Sequence, residues 1–283
     1  MTPDRTKAAR ELLAFYLEAG VDALVGETPV DHLAVDTQPA FGPATTTLAS
    51  APVSPAPSRV PSSRPPLTRA APAAPATAPL APDTAVMAAR DAARSAASLE
   101  DLRAIMQGFT GCALRVTATQ LVFADGNPQA RVMFVGEAPG RDEDLAGLPF
   151  VGRSGKLLDR MLAAIGLNRT SAYIANIIPW RPPGNRTPTP QESQICLPFI
   201  QRQIELANPD VLVCLGGPSS QTLLGFTDGI RRTRGRWMAF STGTREIRAI
   251  ATFHPAYLLR SPLEKRHAWR DFLAIKQALA KNA

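Results

Sequence analysis

The sequence predicts an α/β domain, with a mainly parallel sheet flanked by helices, carried behind an arm of different character. Three observations support this. Short uninterrupted apolar runs end at glycine or beside a polar residue, as strands buried on both faces do. Segments with helical apolar spacing separate those runs, and strand–helix alternation implies parallel strands joined by crossovers. Composition is also uneven along the chain: residues 39–82 hold 12 of the 27 prolines together with 12 alanines.

In chain order, Ala8 to Val25 places Leu12, Leu13, Tyr16, Leu17, Val21 and Leu24 near helical spacing. A lone helix of that length is marginal in water, so it docks either on its own globular part or on a protein partner. The Pro/Ala-rich stretch lacks backbone donors and large apolar residues and reads as a disordered linker. Strands are expected at Arg131–Gly136, Ser171–Ile178, Asp210–Gly216 and Arg248–Phe253. Helices are expected at Lys156–Ile165, Thr189–Ala207, Pro218–Leu224 and Pro262–Ala280; Pro190 and Glu192 mark the start of the second. The expected organisation is a helical arm over residues 1–30, a linker over 31–85 and a folded domain over 86–283.

Composition excludes several classes. Three cysteines in 283 residues cannot staple a secreted scaffold. No apolar run approaches the roughly 20 residues that span a bilayer. The N-terminus has no continuous apolar stretch of the kind a secretory signal needs. A cytoplasmic monomer without membrane association is expected. The net charge of +7 divides into −1 over residues 1–95 and +8 over the remainder, so the positive charge belongs to the folded part. That excess is a weak pointer to nucleic acid.

In parallel sheets, ligands bind beyond the carboxyl ends of the strands. The first strand ends in Gly136-Glu137-Ala138-Pro139-Gly140, a tight turn around one carboxylate that lacks the spacing of a dinucleotide fingerprint. The second contains Asn176 and runs into a stiff basic loop, Pro179 to Arg186. The fourth runs into His254-Pro255-Ala256-Tyr257-Leu258-Leu259-Arg260. Singly, these are a turn carboxylate, a strand-end amide and a core histidine. Together they put a Glu, an Asn and a His at one sheet edge.

Three blocks, GEAPGRDEDLAGLPFVGRSGKLLDRML, NIIPWRPPGNRTPTPQES and TFHPAYLLR, resemble the signature blocks of the family 4 uracil-DNA glycosylases over about Phe109 to the C-terminus. The resemblance implies a three-layer α/β/α fold with a central four-stranded, mainly parallel sheet. It implies hydrolysis of uracil from single- or double-stranded DNA in base-excision repair, leaving an abasic site. By resemblance, Phe150 stacks on the flipped base, Asn176 reads its edge, His254 donates to uracil O2 and Glu137 assists the water. Each role suits the residue type: an aromatic face suits a planar base, an amide pairs with uracil where cytosine mismatches, and a fixed donor stabilises a leaving anion. Gly136 and Ala138 leave room for backbone contacts near the base. Leu258, Leu259 and Arg260 correspond to the segment that wedges into the minor groove. Arg181, Arg186, Arg234 and Arg236, with Arg231 and Arg232, are candidate phosphate contacts.

The family usually holds a [4Fe–4S] cluster on four cysteines. Only Cys112 and Cys196 match those positions; Phe109 and Trp180 occupy the other two, and Cys214 reads as a mid-strand core residue. No intact cluster and no required cofactor are therefore expected, the two aromatics filling the space. The competing function is a catalytically weak module that binds uracil or single-stranded DNA and recruits partners through the arm. A covalent-adduct variant with a K-R-R-I-H motif is set aside, because Arg231 to Arg236 contains no histidine.

Overall fold

The computed structural model describes residues 82–281; the expected N-terminal helix and all but the end of the expected linker lie outside them. The elements are α1 (Pro82–Ser95), α2 (Leu99–Gly108), α3 (Leu114–Thr117), β1 (Asp125–Gly126), β2 (Val132–Gly136), α4 (Arg141–Ala146) and α5 (Arg153–Ala164). They continue with β3 (Tyr173–Asn176), α6 (Pro190–Ala207), β4 (Val211–Leu215), α7 (Gly217–Leu224), α8 (Ile230–Thr233), β5 (Trp237–Ser241), β6 (Glu246–Thr252), α9 (Pro255–Arg260) and α10 (Lys265–Lys281). Short 3-10 turns cover Pro183–Asn185 and Pro262–Glu264.

The sheet order is β1-β3-β2-β4-β6-β5. The four expected strands form its parallel centre, in register Gly136 with Asn176, Val135 with Cys214 and Cys214 with Ala251. The sheet is wider than the expected four strands. Antiparallel β1 closes one edge on β3 and antiparallel β5 closes the other on β6. Both were illegible for the same reason: an edge strand is half-solvated and need not be an apolar run. β1 is only Asp-Gly, and three of the five residues of β5 are exposed.

Alternation along the central strands makes the three layers. Met133 and Val135, Leu212 and Cys214, and Tyr173 and Ala175 face one apolar cluster, shared with α1, α2, α6 and α7. Val132 and Phe134, Val211 and Val213, and Ile174 face the other, closed by Leu158 and Leu162 of α5 and Phe272 and Ile275 of α10. Helix α6 starts at a capping box of Thr189 and Glu192, as Pro190 and Glu192 foretold, and ends at Asn208 in the left-handed region. The last helix starts later than expected, because Pro262–Glu264 forms a separate turn.

Helices α1 and α2 had no sequence expectation. Helix α1 begins at Pro82, inside the stretch expected as linker, and buries an alanine stripe of Ala85, Ala89 and Ala93. Small residues at this spacing let helices approach closely and carry little hydrophobic signal. Helix α2 opens with a Ser98–Asp101 capping box.

Candidate active site

The carboxyl ends of the four parallel strands open into one cleft of about 710 Å³. Glu137, Ala138, Phe150, Asn176, Arg186, Gly216, His254 and Arg260 all line it. The expected Glu, Asn, His and Phe are thus brought together.

Gly136 shows how closely they converge. Its pairing with Asn176 ends the β2–β3 ladder. A Cβ at Gly136 would lie 2.4 Å from Asn176 Oδ1 and 2.7 Å from Phe150 Cζ. The bare backbone therefore separates an amide from an aromatic ring, and any larger residue would push one of them aside. Asn176 is 4% exposed, and its Oδ1 is the one buried side-chain polar atom among the described residues without a hydrogen-bond partner. Leaving a buried acceptor unmet costs about 1–3 kcal/mol. A ligand with an N–H donor would recover that cost.

Phe150 has φ 55°, in the left-handed region that a bulky residue avoids. Its loop is clamped on both flanks. Glu143 Oε1 accepts from the amides of Val151 and Gly152 at 3.0 Å each, while Oε2 accepts from the Gly140 amide at 3.0 Å. On the carbonyl side, Arg169 donates to Phe150 and, at 3.2 Å, to Pro149, while paired with Asp125 and Asp159. Gly155 lies so close that a Cβ would be 1.6 Å from the Phe150 carbonyl oxygen. Sequence reasoning missed Glu143 and Arg169. Their signals were a glutamate three residues into a helix behind a glycine, and a lone arginine before a strand, neither specific.

His254 caps α9 and stacks near Phe150, with ring centroids 5.4 Å apart and tilted by 31°. Its Nδ1 accepts from the Ala256 amide at 3.1 Å. An accepting Nδ1 carries no proton, so the neutral ring holds its proton on Nε2, the remaining donor. Burial first, then the Arg260 charge, push the imidazole down to about 4, which keeps it neutral near pH 7. Gly216, at φ 94°, packs against the His254 Cβ, and its amide donates to Thr252. Glu137 is half-buried, and that burial raises its carboxyl above the ordinary 4.5.

The basic and apolar rim residues divide. Arg186 and Arg260 line the cleft, although Arg186 also holds Glu192 through both ends at 2.8 and 2.6 Å. Arg181 donates to Asn185 at 2.7 Å at the base of the same loop. Arg236 is exposed beside the Phe226 ring. Arg234 does not face outward: it pairs with buried Asp271, donates to the His267 carbonyl and covers the Phe253 ring. It is therefore committed inside the fold instead of being free for a phosphate. Leu258 likewise faces inward at 1% exposure, beside Phe253 and Ala268, whereas Leu259 is 36% exposed. A helical turn places consecutive leucines about 100° apart, so only one can face out.

Cys112 and Cys196 are buried neighbours; the proximity of Cys196 lowers the Cys112 thiol, and Cys112 together with burial raises that of Cys196. A [4Fe–4S] cluster needs four thiolates, and the surroundings do not fit one. Trp180 is 2% exposed and belongs to the same apolar cluster as both cysteines. Phe109 packs edge-on to Phe199 at 5.0 Å and folds over Gly111, where a Cβ would meet its ring at 2.5 Å. Among the described residues, no group of three or more His, Cys, Asp or Glu could hold a metal ion. Cys214 lies within β4, one residue from its carboxyl end, its thiol pushed up to about 12 by burial. No described helix is long and apolar enough to cross a membrane.

A family model described as the uracil DNA glycosylase superfamily matches residues 123–273. A type-4 uracil-DNA glycosylase of Archaeoglobus fulgidus is 41% identical over 188 residues, covering 65% of this chain and 94% of that protein. Its counterpart in Thermotoga maritima is 45% identical over 156 residues, 54% of this chain and 78% of that one. The one in Sulfurisphaera tokodaii is 36% identical over 185 residues, 64% and 84% respectively. The matched span holds every cleft residue described above, from Glu137 to Arg260, and on that basis the chain belongs to the uracil-DNA glycosylase superfamily.

Proposed function

We propose that the chain is a DNA-repair hydrolase that cleaves the N-glycosidic bond of deoxyuridine in DNA and leaves an abasic site. The observation that carries this reading is the unmet Asn176 Oδ1, buried beside Phe150 and facing the space a planar base would fill. Uracil offers an N3–H to that acceptor and an O4 to the same amide's N–H. Cytosine offers a bare N3 and an N4 donor, so both contacts would fail, and buried mismatches of this kind discriminate strongly.

The base reaches this pocket only when flipped from the stack. As the glycosidic bond lengthens, negative charge gathers on the uracil ring and positive charge on the sugar. His254 donates from Nε2 to uracil O2, a contact that strengthens as the anion forms. A neutral imidazole suffices, because a stabilised anion needs no full protonation. Ionised Glu137 faces the sugar, favours its positive charge and orients the attacking water. The water oxygen bonds to C1′, the electron pair of the broken bond leaves on the uracil, and the proton of the water passes to solvent or to the leaving base.

Phosphate contacts are assigned to Arg186, Arg260, Arg181 and Arg236. The protein acts without an iron–sulfur cluster, Phe109 and Trp180 replacing its bracing by packing. Recruitment of a protein partner is assigned to the N-terminal arm, residues 1–30. Oligonucleotides with one uracil, followed by alkaline cleavage of the product, test the activity. Wild type is expected to excise, and Glu137→Gln and Asn176→Ala to lose about a hundredfold or more. Full activity in both variants would remove the site assignment. A wild type that binds uracil DNA without excising it would favour the binding-module reading.

A further inference from the structure

We propose that the first two turns of α10 form a platform for unpaired DNA beside the cleft. Trp269 stacks on a base of the single strand, while Lys265, Arg266 and Arg270 take its phosphates. The platform rests on the uracil-excision reading above only for where the strand comes from.

Helix α10 reaches the cleft edge because it runs back along the sheet. Asp271 accepts from Thr252, the last residue of β6, at 2.7 Å. Near the other end of the helix, the Leu279 carbonyl accepts at 3.0 Å from Arg131, which stands just before β2. The helix therefore passes from the carboxyl ends of the strands to their amino ends. Lys265 to Arg270 precede Asp271 and stand beyond the strand ends, on the side where the cleft opens. Arg260, on the cleft wall, is separated from them by one short turn.

The inward side of α10 is complete without Trp269. Ala268, Phe272, Ile275 and Ala278 are buried, whereas Trp269 is 44% exposed. The other two tryptophans are engaged elsewhere: Trp180 is buried, and Trp237 lies under the Arg248 guanidinium at 4.5 Å. Helical spacing sets Lys265 and Trp269 in one row and Arg266 and Arg270 in the next. All four are exposed. None of the three cations belongs to an ion pair among the described residues. The nearest acids are taken, Glu264 by Arg231 and Asp271 by Arg234.

Charge and ring together identify the partner. Cations alone would suit any polyanion, and a duplex hides its base faces in its own stack. An open indole among unpaired cations suits a strand whose bases are free, because such strands bind by stacking on aromatic rings in a basic groove. The dependence on Trp269 is therefore specific to single strands.

The probe is an oligothymidylate of about 16 nucleotides, which holds no uracil, with a duplex of the same length as control. The full chain is expected to bind the single strand with quenching of its tryptophan fluorescence. Trp269→Ala is expected to weaken that binding about fivefold or more and to remove most of the quenching. Its duplex affinity should stay within about twofold of wild type, which also shows that the variant is folded. Trp269→Phe is expected to keep single-strand affinity within about threefold. Arg266→Gln combined with Arg270→Gln should lower the slope of log affinity against log salt by about 1.4, two phosphates at about 0.7 each. Unchanged single-strand affinity in Trp269→Ala, an equal loss on the duplex, or a Trp269→Phe protein as weak as Trp269→Ala overturns the platform. Should wild type bind oligothymidylate through Trp269 yet excise no uracil, the activity reading fails and the platform stands.

Discussion

Phe150 and His254 share one design, in which a backbone contact decides how a side chain can act. At Phe150, the Glu143 and Arg169 clamps hold a left-handed conformation that would otherwise cost about 1–3 kcal/mol, and so the ring stands at the pocket wall. At His254, the Ala256 amide takes Nδ1, and so the proton sits on Nε2. The two titrating groups then separate in pH. The proposed mechanism needs Glu137 ionised and His254 neutral. As pH falls, Glu137 protonates first, because burial raises it above 4.5, while His254 stays neutral down to about 4. Single-turnover excision is expected to fall with one proton at a midpoint above 4.5, and Glu137→Gln to abolish that step, leaving a low, flat rate. A midpoint below 4.5, or a His254 imidazole resonance titrating near 6.5, would contradict the assignment.

At the scale of elements, the buried pair of Arg234 and Asp271 ties three segments together. Arg234 follows α8, Asp271 belongs to α10, and Asp271 also accepts from Thr252 Oγ1 at 2.7 Å at the end of β6. Gly235 permits the approach, since a Cβ there would lie 2.8 Å from Asp271 Oδ1. Breaking one partner of a buried pair leaves a charge without compensation. Asp271→Ala is expected to lower stability by about 3–5 kcal/mol, read from urea unfolding. Arg234→Ala should behave similarly, with DNA affinity little changed in protein that remains folded. A stable Arg234→Ala protein with weakened DNA binding would return Arg234 to the phosphate contacts.

At the scale of the whole molecule, Trp180 shares one apolar cluster with Cys112 and Cys196, and Phe109 packs against that cluster. Trp180 begins the segment that carries Arg186 to the cleft, so its burial anchors a cleft-lining loop. Anaerobically purified protein is expected to hold less than about one iron per chain, to lack absorbance near 400 nm, and to keep its activity in chelator. About four irons per chain would overturn this. Trp180→Ala should cost about 3–5 kcal/mol of stability, as large core truncations do.

The sequence by itself determined the parallel centre of the sheet, because a strand buried on both faces must be apolar throughout, as Val132–Val135 and Val211–Leu215 are. It also placed Glu137, Asn176 and His254 at one edge, since parallel strands put their carboxyl ends together. It put Phe109 and Trp180 at two of the four places where the resemblance implies cysteines. Tertiary structure alone decided which way neighbouring residues point. Leu258 turned inward and Leu259 outward, and Arg234 went to Asp271 while Arg236 stayed in solvent. The alanine stripe of α1 and the edge strands β1 and β5 likewise emerged only from packing. Residue type and spacing limit what a side chain can do; its burial and partners come from segments distant in the chain, and those select what it does.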